Sequence, residues 1–195
     1  MTHPDYTPQR VADRLQIQDV MHRWCRAVDR LDTQGMLGVF WPGAIDSHGP
    51  YIGPVEGLVE WIRERHIPIA VSSHFIGNVM IEFSGDDLAL VETYVRTIQQ
   101  YPPNAKGQLA ELTGGESGDE SLAMDMFTSS RYLDRMERRD GEWRIAHRTF
   151  VSDWSASDPR TDSWDRSPAS PRLFGRRDQQ DPVYGETNPP RKVAA

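Results

Sequence analysis

The chain is predicted to be α+β: a cone-shaped α+β barrel with N-terminal helices packed into a curved, mostly antiparallel sheet. Three observations predict this. Helical apolar periodicity is confined to the first third of the chain. Long alternating segments dominate from Ser72 to Trp154. Short turn signals, above all Arg139-Asp140-Gly141-Glu142, join those segments as hairpins. Helices first and strands after imply layers, with the helices on one face of the sheet. A curved sheet wrapped on a helix leaves an open end, which is a natural pocket.

The elements follow in order. Residues 1–10, with Pro4 and Pro8, read as a flexible arm. From Val11 a helix is predicted, because Ile17, Val20, Met21, Trp24, Cys25, Val28 and Leu31 recur on one face. A short helix follows over Thr33 to Phe40, with Asp32 or Thr33 as its cap. Ala44 to His48 reads as a short strand closed by Gly49-Pro50. Gly53-Pro54 opens a third helix that runs to about Arg65. Strands are predicted over Ser72–Phe83 and Leu88–Gln100. Residues 104–122 are polar and Gly-rich and read as a long loop. Leu122–Arg138 and Trp143–Trp154 complete the set. One domain over 11–155 is expected, followed by a Pro/Arg-rich tail, 156–195, whose Leu173, Phe174, Val183 and Tyr184 suit docking on its own or a neighbouring subunit.

Composition excludes several classes. The 195 residues include six Trp, six Tyr and six Phe, enough for one real core. A net charge of −7 argues against a nucleic-acid partner and against an anionic membrane surface. Cys25 is the single cysteine, so there is no intrachain disulfide framework and no cysteine-rich zinc site. The N-terminal residues lack a secretory pattern, and no apolar run approaches the ~20 residues of a membrane span. A soluble, cytoplasmic protein is expected.

Few residues stand out chemically. Asp29 lies four residues after Cys25 and eight after Met21, so it borders the apolar stripe of the first helix. A carboxylate there needs a partner, or it turns to water at the helix end. His74 interrupts the strand AVSSHFIGNV. Strict alternation puts it with Ser72, Ile76, Asn78 and Met80, on the less apolar face. Taken alone it reads as a hydrogen-bonded structural histidine; paired with Asp29 it becomes a base, because a carboxylate on one imidazole nitrogen frees the other. Arg148 in the last strand is suited either to hold an oxyanion or to sit in a rim salt bridge, and Arg131 offers the same from the preceding strand. Trp24, Tyr51 and Tyr132 are available as pocket walls. Asp46 and His48, two residues apart, lack a third ligand at a diagnostic spacing, so no metal is assigned. No P-loop, GxGxxG or GxSxG occurs.

Four segments in order, IQDVMHRWCRAVDRLD, YIGPVEG, SSHFIGNVMIEF and RYLDRMERRDGEWRIAHR, resemble the SnoaL-like branch of the nuclear transport factor 2-like superfamily over about residues 11–155. The pattern is similar to the hexachlorocyclohexane dehydrochlorinases and, more distantly, to scytalone dehydratase-type lyases. The resemblance implies catalytic roles for Asp29, His74 and Arg148 and a substrate contact for Tyr51; Trp24, Arg131 and Tyr132 are further substrate-contact candidates from their places on the first helix and the preceding strand. It implies a lyase or isomerase without cofactor, acting on a small hydrophobic, cyclic molecule. Trp24 stands where the dehydrochlorinases carry a catalytic lysine. A tryptophan cannot assist a departing chloride as an ammonium does, so another leaving group or substrate is implied. The superfamily also holds non-catalytic binding proteins and dioxygenase small subunits, and that scaffold alternative stays open. Homo-oligomers, a trimer before a dimer, are expected by the same resemblance.

Overall fold

The computed structural model describes residues 6–113, 115, 121–162, 166–167 and 169–185. The expected arm and tail fall partly outside these residues. Helix α1 spans Pro8–Arg30, three residues earlier than periodicity alone indicates. The reason is local: the Thr7 hydroxyl accepts the Arg10 N–H, and Pro8 suits a first helical turn. Helix α2, Thr33–Gly38, is capped by Asp32, which accepts the Gly35 N–H at 3.0 Å. Strand β1 covers Phe40–His48 and turns through Gly49, at φ 67°, into β2, Tyr51–Pro54. Neither the length of β1 nor the existence of β2 is visible in the sequence pattern. Helix α3 follows at Val55–His66.

Strands β3 (Val71–Phe83), β4 (Leu88–Tyr101), β5 (Met124–Arg139) and β6 (Glu142–Pro159) form a meander. The β5–β6 turn is the Asp140-Gly141 hairpin, with both residues at positive φ, 51° and 83°. The full sheet runs β2-β1-β6-β5-β4-β3, and only β1 and β6 pair in parallel. Expectation and structure agree on a mostly antiparallel sheet behind N-terminal helices. The sheet has open edges at β2 and β3, so the cone is not closed.

The apolar stripe of α1 is buried on the inner face of this sheet: Ile17, Met21, Trp24 and Val28 meet Val91, Tyr132, Met136 and Trp143 in one core. The expected loop at 104–122 is partly helical. A 3₁₀ turn at Pro103–Ala105 leads into α4, Lys106–Thr113. Its Ala105 and Leu109 join Ile69, Tyr101, Met124 and Met126 in a second, smaller core. Ala105 in the turn and Leu109 in the helix are the buried apolar contacts described there, too few to make a readable period. Residues 116–120 of that segment lie outside the described ones.

One polar residue fastens the other end of α1. Asp13 is fully buried, and its Oδ1 accepts the Trp143 indole N–H at 3.1 Å, an Arg138 N–H at 3.1 Å and a Gln9 amide N–H at 3.0 Å. Asp13→Ala is therefore expected to lower the unfolding free energy by about 2 kcal/mol, because it strands the buried Trp143 indole N–H, while Arg138 keeps Asp87 and the Asp86 carbonyl. Urea denaturation of the variant against the parent checks this.

Candidate active site

Strand β3 is a sheet edge, so its outward N–H groups have no neighbouring strand. The last turn of α1 lies along that edge and places Asp29 against it. Asp29 Oδ2 accepts the main-chain N–H of His74 at 2.9 Å. Oδ1 accepts the Ser72 hydroxyl at 2.9 Å and lies 2.7 Å from His74 Nδ1. The carboxylate can only accept, so Nδ1 carries the proton and Nε2 presents its lone pair. Burial by itself pushes the Asp29 carboxyl pKa up. The attraction of His74 and the hydrogen bonds from His74 and Ser72 outweigh it, and Asp29 is held below the ordinary carboxylate range.

The face of His74 is a correction. Ile76 pairs with Val95 but Val79 pairs with Thr93, so Gly77 and Asn78 together oppose Tyr94 in a β-bulge. The extra residue reverses the alternation. Ser72, His74 and Ile76 therefore share the inner face with Val79 and Ile81, while Phe75 and Met80 point outward, 74 % and 62 % exposed. Strict alternation had put His74 with Met80.

The pair opens on a groove of about 340 Å³ between α1 and β3. Cys25, Asp29, His74 and Ile76 line it together with the cationic Arg26 and Arg30. The Cys25 thiol is pushed up to about 12, chiefly by burial, then by the Asp29 charge, and stays protonated.

The other expected residues lie elsewhere. Arg148 is fully buried rather than at a pocket rim. Its Nε and Nη2 donate to the two Asp134 oxygens at 2.7 and 2.8 Å, and it lies under the Tyr132 ring at 4.1 Å and the Trp24 ring at 4.9 Å. Burial disfavours the guanidinium's charge, but Asp134 more than restores it. Trp24 and Tyr132 are core residues packed on Arg148, not walls of the groove. The Tyr51 hydroxyl donates to the Pro54 carbonyl at 2.5 Å and so serves its own turn. Arg131 is on the outer face, where it pairs with Glu92 at 2.8 Å and Asp153 at 2.9 Å. Successive residues point to opposite faces, so an arginine beside the inward Tyr132 has to point out. Asp46 and His48 bond each other, Oδ1 to Nδ1 at 3.2 Å, and no metal-binding group of three ligands occurs among the described residues.

Several site residues escape the sequence reading. Ser72 and Arg26 have readable signals: Ser72 is two residues before His74 on one strand face, and Arg26 is three before Asp29 on one helix face. Arg177 has none. Its guanidinium donates to the main-chain carbonyl of Asp29 at 3.2 Å from a tail far along the chain. His66, at the end of α3, also escapes it: burial, then the charges of Arg177, Arg65, His74 and His48, hold its pKa well below the ordinary histidine value.

A helix-filled, open α+β cone with a polar pair on an edge strand defines a class of small-molecule pocket proteins. The family model of the SnoaL-like domain matches residues 9–149, and the chain belongs to that family. Solved structures of the same fold include the hexachlorocyclohexane dehydrochlorinase LinA, 20 % identical, TM-score 0.62, covering 82 % of this chain and 97 % of that one. LinA-type3 from Novosphingobium barchaimii is 18 % identical, TM-score 0.61, covering 82 % and 98 %. A candidate scytalone dehydratase from Novosphingobium aromaticivorans is 16 % identical, TM-score 0.61, covering 76 % and 89 %. At these identities the likeness is one of fold. No curated protein matches the chain significantly. Among the described residues no helix is long and apolar enough to cross a membrane.

His66 makes a pH prediction. A histidine whose folded pKa is depressed binds its proton in the unfolded chain first, so its contribution is present above the unfolded value of 6.5 and is lost as pH falls below it. The melting temperature is expected to drop between pH 7 and 5. His66→Gln flattens that drop if the assignment holds, which calorimetry across the pH range reads directly.

Proposed function

We propose that the protein is a cofactor-independent lyase or isomerase acting on a small hydrophobic, cyclic substrate. The observation that carries this reading is the Asp29–His74 pair, with His74 Nδ1 at 2.7 Å from the carboxylate and the carboxylate tied to Ser72 and to the strand backbone. His74 Nε2 removes a carbon-bound proton. Asp29 holds the ring in one tautomer and stabilises the imidazolium that forms. The electron pair left on carbon either expels a leaving group on the neighbouring carbon or moves to a conjugated carbonyl and returns with a proton elsewhere. Arg26 and Arg30 line the groove and are suited to the negative charge that develops. Arg148, committed to Asp134, acts at a distance by fixing the inner face beneath Trp24 rather than by touching substrate.

A scaffold without catalysis needs no such pair, and burying a carboxylate beside a histidine is costly unless it does something. The enzymatic reading is therefore preferred. A panel of cyclic β-hydroxy ketones and ring-chlorinated analogues, followed by absorbance of the unsaturated product, finds the substrate class. On the best substrate His74→Gln is expected to lower kcat by about 10²–10⁴-fold in a protein that keeps the parent's far-UV circular dichroism. Full activity in a folded His74→Gln protein sinks the mechanism.

We further propose a homo-oligomer, a trimer, assembled through the outer sheet face. Phe75, Met80, Tyr94, Ile98 and Trp154 are all exposed there, with Trp154 59 % accessible. An apolar face of this kind marks an interaction surface. Ile98→Glu combined with Trp154→Glu is expected to give monomers in sedimentation velocity. A parent protein that already sediments as a monomer rules the assembly out.

A further inference from the structure

Four main-chain carbonyls converge on one side chain of the tail. Arg177 Nε donates to Asp29 O at 3.2 Å and Nη2 to Val28 O at 3.4 Å, in the last turn of α1. Its Nη1 donates to His66 O at 2.5 Å and to Ile69 O at 3.0 Å, where the chain leaves α3 and enters β3. We propose that Arg177 is a positioning residue for the dyad: it clamps the end of α1 to the chain entering β3 and so sets the Asp29–His74 contact.

The two clamped segments are the ones that carry the pair. Asp29 stands one residue before the end of α1, and β3 begins two residues after Ile69. A helix end leaves its last carbonyls short of intrahelical donors; Val28 O and His66 O each accept one local main-chain N–H, from Leu31 and Ile69, and a carbonyl has a second lone pair to offer Arg177. A guanidinium presents five N–H groups in one rigid plane and can bridge such acceptors on two segments. A lysine ammonium has three donors and no plane. The clamp lies beyond residues 9–149, so the shared domain does not supply it.

The tail is itself anchored where it delivers Arg177. Arg30 pairs with Asp181 at 3.0 Å, and Asp181 accepts the Arg176 N–H at 2.7 Å and the Val183 N–H at 3.0 Å. Arg26 lies over the Tyr184 ring at 5.2 Å, and the Tyr184 hydroxyl donates to Asp32 at 3.4 Å. Two groove-lining arginines, Arg26 and Arg30, are thus oriented by the same segment. A displacement of either clamped segment by a fraction of an ångström opens the 2.7 Å contact at His74.

The inference rests on the proposed dyad, but its test needs no substrate. A histidine N–H held by a buried carboxylate gives a low-field proton signal, assigned in the full-length protein by its loss in His74→Gln. In Arg177→Met the signal is expected to disappear or to move upfield, with the far-UV circular dichroism of the parent. Arg177→Lys keeps the charge but not the fork and is expected to behave as Arg177→Met does. Methylguanidinium added to Arg177→Ala is expected to restore the signal. A low-field signal unchanged in both folded Arg177→Met and Arg177→Lys overturns the positioning role. If Arg177→Met does not fold, Arg177→Lys alone decides. A parent protein without the signal refutes the Asp29–His74 pairing itself, a different failure. On the substrate found by the panel, a drop of about 10²-fold in kcat with little change in KM accompanies loss of the signal.

Discussion

A carboxylate on the open edge of a sheet organises this molecule. Asp29 accepts three hydrogen bonds from β3: one from the backbone of His74, one from its ring and one from Ser72. Each removes a different liability. The backbone bond covers an edge N–H that otherwise invites another strand. The ring bond fixes the histidine tautomer. All three compensate a charge that burial alone makes expensive; an unpaired carboxylate in such a place costs several kcal/mol. The same contact therefore docks the helix, protects the edge and, in the proposed mechanism, prepares the base.

The rest of the fold serves that docking. The bulge at Gly77-Asn78 lets one strand present polar residues to α1 at its start and apolar residues to the core at its end. Across the sheet, Asp46, Arg148 and Asp134 stand in one inner row on β1, β6 and β5. Arg148 fills the middle of it, paired with Asp134 and faced by aromatic rings. Two of its three nitrogens are engaged and Nη1 has no hydrogen-bond partner among the described residues, and Arg148 does not line the dyad groove. Cationic support at the groove comes from α1 itself, through Arg26 and Arg30.

The tail joins these parts. The SnoaL-like domain ends its match at residue 149, while residues 176–184 return to the end of α1. An open cone leaves the helix terminus and the start of β3 exposed to relative motion, and a segment that bonds both removes that freedom.

Periodicity in the sequence was sufficient for α1, α2 and α3, the four long strands and the hairpin at Asp140-Gly141, because each follows from local spacing; Asp29 and His74, far apart in the chain, were matched only through a family resemblance. Periodicity was insufficient for α4, whose described apolar contacts make no pattern, and for β2, which is too short to alternate. It also misplaced His74, since a bulge changes phase without changing composition. Arg148 and Arg131 look alike in sequence, both being arginines on long strands. One is sealed in the core and the other lies on the outer face, because facing and burial depend on the register of neighbouring strands. Arg177 was invisible for the same reason: its four acceptors are main-chain carbonyls, which every residue carries, and only the tertiary structure brings them to one point.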